Sequence, residues 1–100
     1  MAVKFNNRAK FAKQKGDLDF YDWEVFVDES PEVIDKIDHV TYFLHKTFPN
    51  SVRTVTAPET DFSLNSRGWG EFDIGIKVTF KDGSEEQETY SLDLSKSWDD

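Results

Sequence analysis

The residues equipped for chemistry in this 100-residue chain are few. Histidine occurs twice, at His39 and His45, both on what reads as one extended stretch. At about 3.3 Å per residue they would stand roughly 20 Å apart, too far to share a metal ion. There is no cysteine, so thiolate ligands and thiol nucleophiles are absent. No serine sits in a motif that would activate it for attack. The acids at Glu85, Glu86 and Glu88 lack the regular Asp-x-Asp spacing of a calcium loop. Carboxylate pairs at glycosidase distance could be drawn among any twenty acids and carry no information. The chain is therefore not expected to be an enzyme, and neither a cofactor nor a metal is expected.

Two segments place aromatic and polar side chains where loops should lie. In His45-Lys46-Thr47-Phe48-Pro49-Asn50 the proline holds Phe48 in extended backbone beside a turn, an unusual place for a core phenylalanine. In Asn65-Ser66-Arg67-Gly68-Trp69-Gly70-Glu71 a tryptophan stands between Gly68 and Gly70. Its ring would be presented by a tight loop whose glycines let a ligand approach the main chain. If both loops meet at one end of the fold, the rings of Phe48 and Trp69 face each other across a slot for a flat group. Thr47 then offers a hydroxyl, the Trp69 amide offers a donor, and His45 can orient the hydroxyl. The plainer reading makes Phe48 and Trp69 lids on the core and His45 an ordinary strand-end residue.

The elements that must position these loops are strands. Phe72, Ile74, Ile76, Val78 and Phe80 recur at every second position, the period of a half-buried strand. Lys81-Asp82-Gly83-Ser84 supplies a turn, and Tyr90, Leu92 and Leu94 resume the alternation on a returning strand. Tyr21, Trp23, Val25 and Val27 mark another strand, and Val40, Tyr42 and Leu44 a further one. Between them Ser30 and Pro31 can start one short helical turn. Val3 to Phe11, Val52 to Ala57 and Asp61 to Leu64 read as weaker, edge-like strands. Six to eight short strands without heptads or βαβ alternation predict a two-layer antiparallel sandwich with Trp23 at its centre. A small closed barrel shares the same period-two pattern.

Length and charge narrow the rest. One hundred residues enclose one core, so residues 1–100 read as a single domain. Fifteen aromatic residues offset a modest 37% hydrophobic content. The missing cysteines suit a reducing compartment. The first fifteen residues lack the apolar run of a signal peptide, and no stretch has membrane-spanning length. A net charge of −8 repels phosphate backbones, attracts a lysine-rich partner at long range, and in the simplest case only keeps the domain soluble. The expected setting is cytoplasmic, or nuclear in a eukaryote, with no nucleic-acid or membrane partner.

Val40-Thr41-Tyr42-Phe43-Leu44-His45-Lys46-Thr47-Phe48-Pro49, followed about twenty residues later by Gly68-Trp69-Gly70-Glu71-Phe72, resembles the YEATS domain family. The Asp22-Trp23 pair opening a Val25-Phe26-Val27 strand is similar as well. The resemblance runs from Asp19 to Leu94, and its details look closest to prokaryotic members. It implies an immunoglobulin-like antiparallel β-sandwich of about 7–8 strands that acts as a monomeric reader of acylated lysine, acetyl or crotonyl. By position, Phe48 and Trp69 would sandwich the acyl amide, Thr47 would accept its N–H, the Trp69 main-chain N–H would donate to the acyl oxygen, and His45 would shape the pocket beneath. The family's further aromatic wall comes before the Asp-Trp pair, where this chain has Phe20, nearer the pair than the family pattern places it. The rival readings are a general protein-interaction sandwich that uses its acidic faces or edges, and, last, a deacylase or glycan hydrolase.

Overall fold

Alternating apolar residues form seven strands in the computed structural model, which describes residues 3–97. In chain order these are β1 (Phe5–Lys15), β2 (Leu18–Val27), β3 (Ile37–Phe43), β4 (Val52–Val55), β5 (Leu64–Gly68), β6 (Asp73–Phe80) and β7 (Glu85–Ser91). A single helical turn, α1 (Pro31–Ile34), follows Ser30 as its cap residue, with Pro31 at its start. Two antiparallel sheets result, ordered β1-β2-β5 and β4-β3-β6-β7. This is an immunoglobulin-like sandwich rather than a closed barrel, because the two sheets remain separate ladders. No helix among the described residues is long and apolar enough to cross a membrane. Trp98, Asp99 and Asp100 lie outside the described residues.

The period-two faces meet in the middle. Trp23, Val25 and Val27 of β2 and Val40 and Tyr42 of β3 are fully buried, as are Ile74, Ile76 and Val78 of β6. Trp23 is central, as the sequence predicts. Tyr42 spans the core and donates its hydroxyl to the Phe62 carbonyl at 2.7 Å. That bond matters because a buried carbonyl left without a donor costs about 1–3 kcal/mol. Burial and the nearby Glu24 carboxylate push the Tyr42 phenol well above its usual range.

Five expectations need correction. The strand predicted over Val3 to Phe11 does lie at a sheet edge, but it is longer and shifted: β1 has eleven residues, Phe5–Lys15, and is joined to β2 by a turn at Gly16 with φ of +63°. Asp61 and Phe62 do not begin a strand, since both hold left-handed backbone, and the strand starts at Leu64. Asn65 to Gly68 is therefore strand rather than loop and pairs with β2 in the register Tyr21↔Gly68 to Val25↔Leu64. The returning strand ends at Ser91, so Leu92 and Leu94 follow it. His45 also lies past the end of β3, so the two histidines do not share a strand. The β6–β7 hairpin and its turn hold, with Gly83 at φ +91°.

Candidate functional site

The segment after β3 and the segment between β5 and β6 meet at one end of the sandwich. The first is folded by its own main chain, the Phe48 N–H donating to the His45 carbonyl at 2.9 Å, while the Leu44 N–H donates to the Ser51 carbonyl at 2.7 Å and closes the loop at its base. The second is short because β5 runs to Gly68 and β6 begins at Asp73. Tyr21 pairs with Gly68 at the end of the β2–β5 ladder, which brings the adjoining Phe20 and Trp69 to the same end of the sandwich. A cavity of about 390 Å³ opens between these pieces. Phe20, His45, Thr47, Phe48, Gly68, Trp69 and Gly70, all singled out in the sequence, line it together. Pro49, Arg67, Glu71 and Phe72 complete the wall. In the sequence these four stand in or beside the two motifs, and nothing in their residue types marks them as lining.

Phe48 belongs both to the core and to the cavity. It is half-buried, its ring meeting Trp23 edge to face at 6.4 Å and Phe72 at 5.2 Å with a 41° tilt. The lid reading is thus right for one side of this ring. Trp69 is different: it is 60% exposed and, among the described residues, makes no ring contact. A tryptophan this exposed contributes little to folding and leaves a large apolar face in water. Gly68 is small for lack of space. A Cβ there would stand 3.4 Å from the Phe48 ring and 3.6 Å from Trp23 Nε1. Around Gly70 the space is open.

The polar side of the cavity is organised by His45. Its Nδ1 accepts the Thr47 main-chain N–H at 3.3 Å and lies 2.9 Å from Thr47 Oγ1. An amide N–H can only donate, so Nδ1 carries the lone pair and the Thr47 hydroxyl must donate to it as well. The hydroxyl oxygen then keeps its lone pairs open as acceptors. Arg67 is held by Asp22 of β2, with Nε 2.6 Å from Oδ1, and this bond holds the Asp22 carboxyl below the usual carboxylate range. Glu71 accepts the Leu94 N–H at 2.8 Å, tying the segment after β7 to the cavity rim. Lys13 stands 6.0 Å over the Phe20 ring from the neighbouring strand. No group of three or more His, Cys, Asp or Glu among the described residues is placed to hold a metal.

A seven-stranded, two-sheet sandwich with an aromatic-walled cleft at one end defines an immunoglobulin-like β domain. Residues 21–93 match the family model of the prokaryotic YEATS domain, and the chain belongs to the YEATS family. Protein AF-9 homolog of Candida glabrata is 46% identical over 68 residues, which are 65% of this chain and 29% of that protein. The chain thus spans well under half the length of the curated relatives it matches. The crystal structure of the yeast AF-9 homolog protein Yaf9 superposes with a TM-score of 0.74 at 33% identity, covering 90% of this chain and 64% of that one. The Yaf9 YEATS domain bound to H3K27ac has a TM-score of 0.68 at 30% identity, covering 94% of this chain and 77% of that one.

Proposed function

We propose that this domain reads acylated lysine, acetyl or crotonyl, on another protein, and does so as a monomer without catalysing a reaction. The observation that carries the reading is the composition of one cavity: rings from three separate segments, Phe20, Phe48 and Trp69, beside a Thr47 hydroxyl that lies 2.9 Å from His45 Nδ1. Acylation removes the lysine charge and makes a flat amide. That amide stacks favourably between Phe48 and Trp69, worth about 0.5–1.5 kcal/mol per ring beyond burial. Its N–H donates to Thr47 Oγ1, its oxygen accepts from the Trp69 main-chain N–H, and each bond adds about 0.5–1.5 kcal/mol. Phe20 closes the third side. An unmodified ammonium would lose its hydration here and gain neither bond. A short open cleft of this kind supports affinity on the order of micromolar or weaker. The similarity to a domain bound to H3K27ac supports the same reading.

Titration of acetyl-, crotonyl- and unmodified-lysine peptides followed by NMR tests it. Amides of Thr47, Phe48, Gly68 and Trp69 are expected to shift with the acylated peptides and to stay in place with the unmodified one. Equal binding of the unmodified peptide, or shifts confined to the outer sheet faces, would favour the general interaction module instead. Mass spectrometry of the acylated peptide after prolonged incubation is expected to find it intact. Release of the acyl group would make the Thr47–His45 pair a nucleophile and its base.

A further inference from the structure

Charge in this chain is divided by strand. Residues 1–16 hold five of its twelve lysines and arginines and none of its twenty acids, so β1 is a basic strand in a chain of net charge −8. Arg8 stands opposite Glu24, with their side chains 2.7 Å apart, and Lys10 stands opposite Asp22. Further along, Lys13 and Lys15 are exposed and stand opposite Phe20 and Leu18. Asp17 and Asp19 lie in the turn and opposite Gln14. The same length of β1 lacks a third strand. β5 pairs with β2 only from Tyr21 to Val25, so β1 beyond Phe11 and β2 before Tyr21 form a two-stranded ribbon. Residues 93–97 cover the edge of β1 as far as Ala9, whose N–H donates to the Lys96 carbonyl at 2.8 Å and which bridges Ser97 in parallel. Among the described residues, no backbone group of 11–15 bonds to any element other than β2. Phe11 is 57% exposed and Leu18 42%, on a ribbon of a kind that is marginally stable without a third strand.

We infer that the edge of β1 from Phe11 to Lys15 docks an acidic, extended segment of a partner protein, which adds a strand beside it. Strand addition draws affinity from main-chain bonds and specificity from alternate side chains. The alternation is set by the register. Phe20 and Leu18 share one face of β2 and Tyr21 the other, so the bulge between Phe11 and Lys13 turns Lys13 and Lys15 to the face opposite Phe11. An incoming strand with carboxylates at every second position and apolar residues between them meets the two ammonium groups on one face and covers Phe11 on the other. Opposite charges on neighbouring strands stabilise a ladder and like charges weaken it. Lysines on an edge also repel a second copy of that edge, and two chains of net charge −8 repel each other at long range. No residue of β1 lines the cavity at the loop end, so the inference does not rest on the acyl-lysine reading.

The test titrates the full chain with a short fluorescein-labelled peptide alternating glutamate with valine, followed by anisotropy and NMR. A version with lysine in place of glutamate and a version with backbone N-methyl groups at alternate positions serve as controls. The acidic peptide is expected to bind about tenfold more tightly than the lysine version, and N-methylation to weaken it about three- to tenfold. Lys13→Glu with Lys15→Glu is expected to weaken it about tenfold, and Lys13→Gln with Lys15→Gln about threefold, with unchanged circular dichroism. Amide hydrogen exchange within residues 11–15 is expected to slow on binding, while the amides of Thr47 and Phe48 stay in place. No binding of the acidic peptide, equal binding of the lysine version, indifference to N-methylation, or shifts at the cavity instead of β1 would overturn the inference. Sedimentation of the chain alone is expected to find a monomer. A dimer that the glutamate variant dissolves would assign the edge to a second copy and overturn the acidic partner.

Discussion

Replacing Trp69 with alanine should separate binding from folding, and replacing Phe48 should not. Trp69 is 60% exposed and makes no ring contact among the described residues, so its removal should change stability by no more than about 0.5 kcal/mol. Its loss to binding is larger. One stacked ring face contributes about 0.5–1.5 kcal/mol. Burying that face at about 25 cal/mol per Å² adds about 1 kcal/mol. Together these predict about 10- to 70-fold weaker binding of a crotonyl-lysine peptide to Trp69→Ala. Phe48→Ala should lose comparable binding, but it also removes the contacts with Trp23 at 6.4 Å and Phe72 at 5.2 Å. A full core phenylalanine costs about 3–5 kcal/mol, and a half-buried one about 2, which lowers the melting temperature by about 8–16 °C in a domain of this size. Thermal unfolding by circular dichroism and peptide titration by NMR read the two effects separately. Undiminished binding by Trp69→Ala, or wild-type stability of Phe48→Ala, would refute the assignment of one ring to ligand and the other to both ligand and core.

Thr47→Val removes the acceptor beside His45 and should weaken acyl-lysine binding about tenfold, while Thr47→Ser should keep it, both with unchanged melting temperature because the residue is exposed. Tyr42→Phe leaves the buried Phe62 carbonyl without its donor and should cost about 1–3 kcal/mol, read from the urea midpoint. Glu88 points inward from β7, one of its oxygens buried without a partner, and desolvation, then Glu86 and Glu29, raise its pKa. A carboxyl with a raised folded pKa destabilises when charged, and that cost vanishes once the pH falls below the ordinary glutamate range. Glu88→Gln should therefore melt higher than wild type at pH 7, and the gap should close at about pH 4.

Strands with wholly apolar inner residues were plain in the sequence, and those with polar or small inner residues were only weakly marked or missed. β6 announces itself through Ile74, Ile76 and Val78. β1 does not, because its inward positions include Asn7, which is buried but satisfied: it accepts from the Tyr90 hydroxyl at 2.6 Å and holds Asp93. β5 is hidden for a different reason. Opposite Trp23 and Tyr21 it has Ser66 and Gly68, and at Gly68 the Phe48 ring and Trp23 Nε1 already take the space a side chain would need. Period-two patterning reports apolar faces, and here the bulk came from other strands.

The site divides along the same line. Residue type and spacing were enough to select His45, Thr47, Phe48, Gly68, Trp69 and Gly70, since a phenylalanine before a proline and a tryptophan between glycines are poor choices for a core, whereas Phe20 came only from the family resemblance. Sequence also sufficed for the His45–Thr47 bond, which spans only two residues. What tertiary structure alone decided was how the rings divide their work: Phe48 braced on Trp23 and Phe72, Trp69 largely exposed, and Phe20 brought into the same cavity as Trp69 where the β2–β5 ladder ends. Local chemistry is written in neighbours along the chain, whereas ring orientation and strand register depend on residues more than twenty positions away, whose packing no short window of sequence contains.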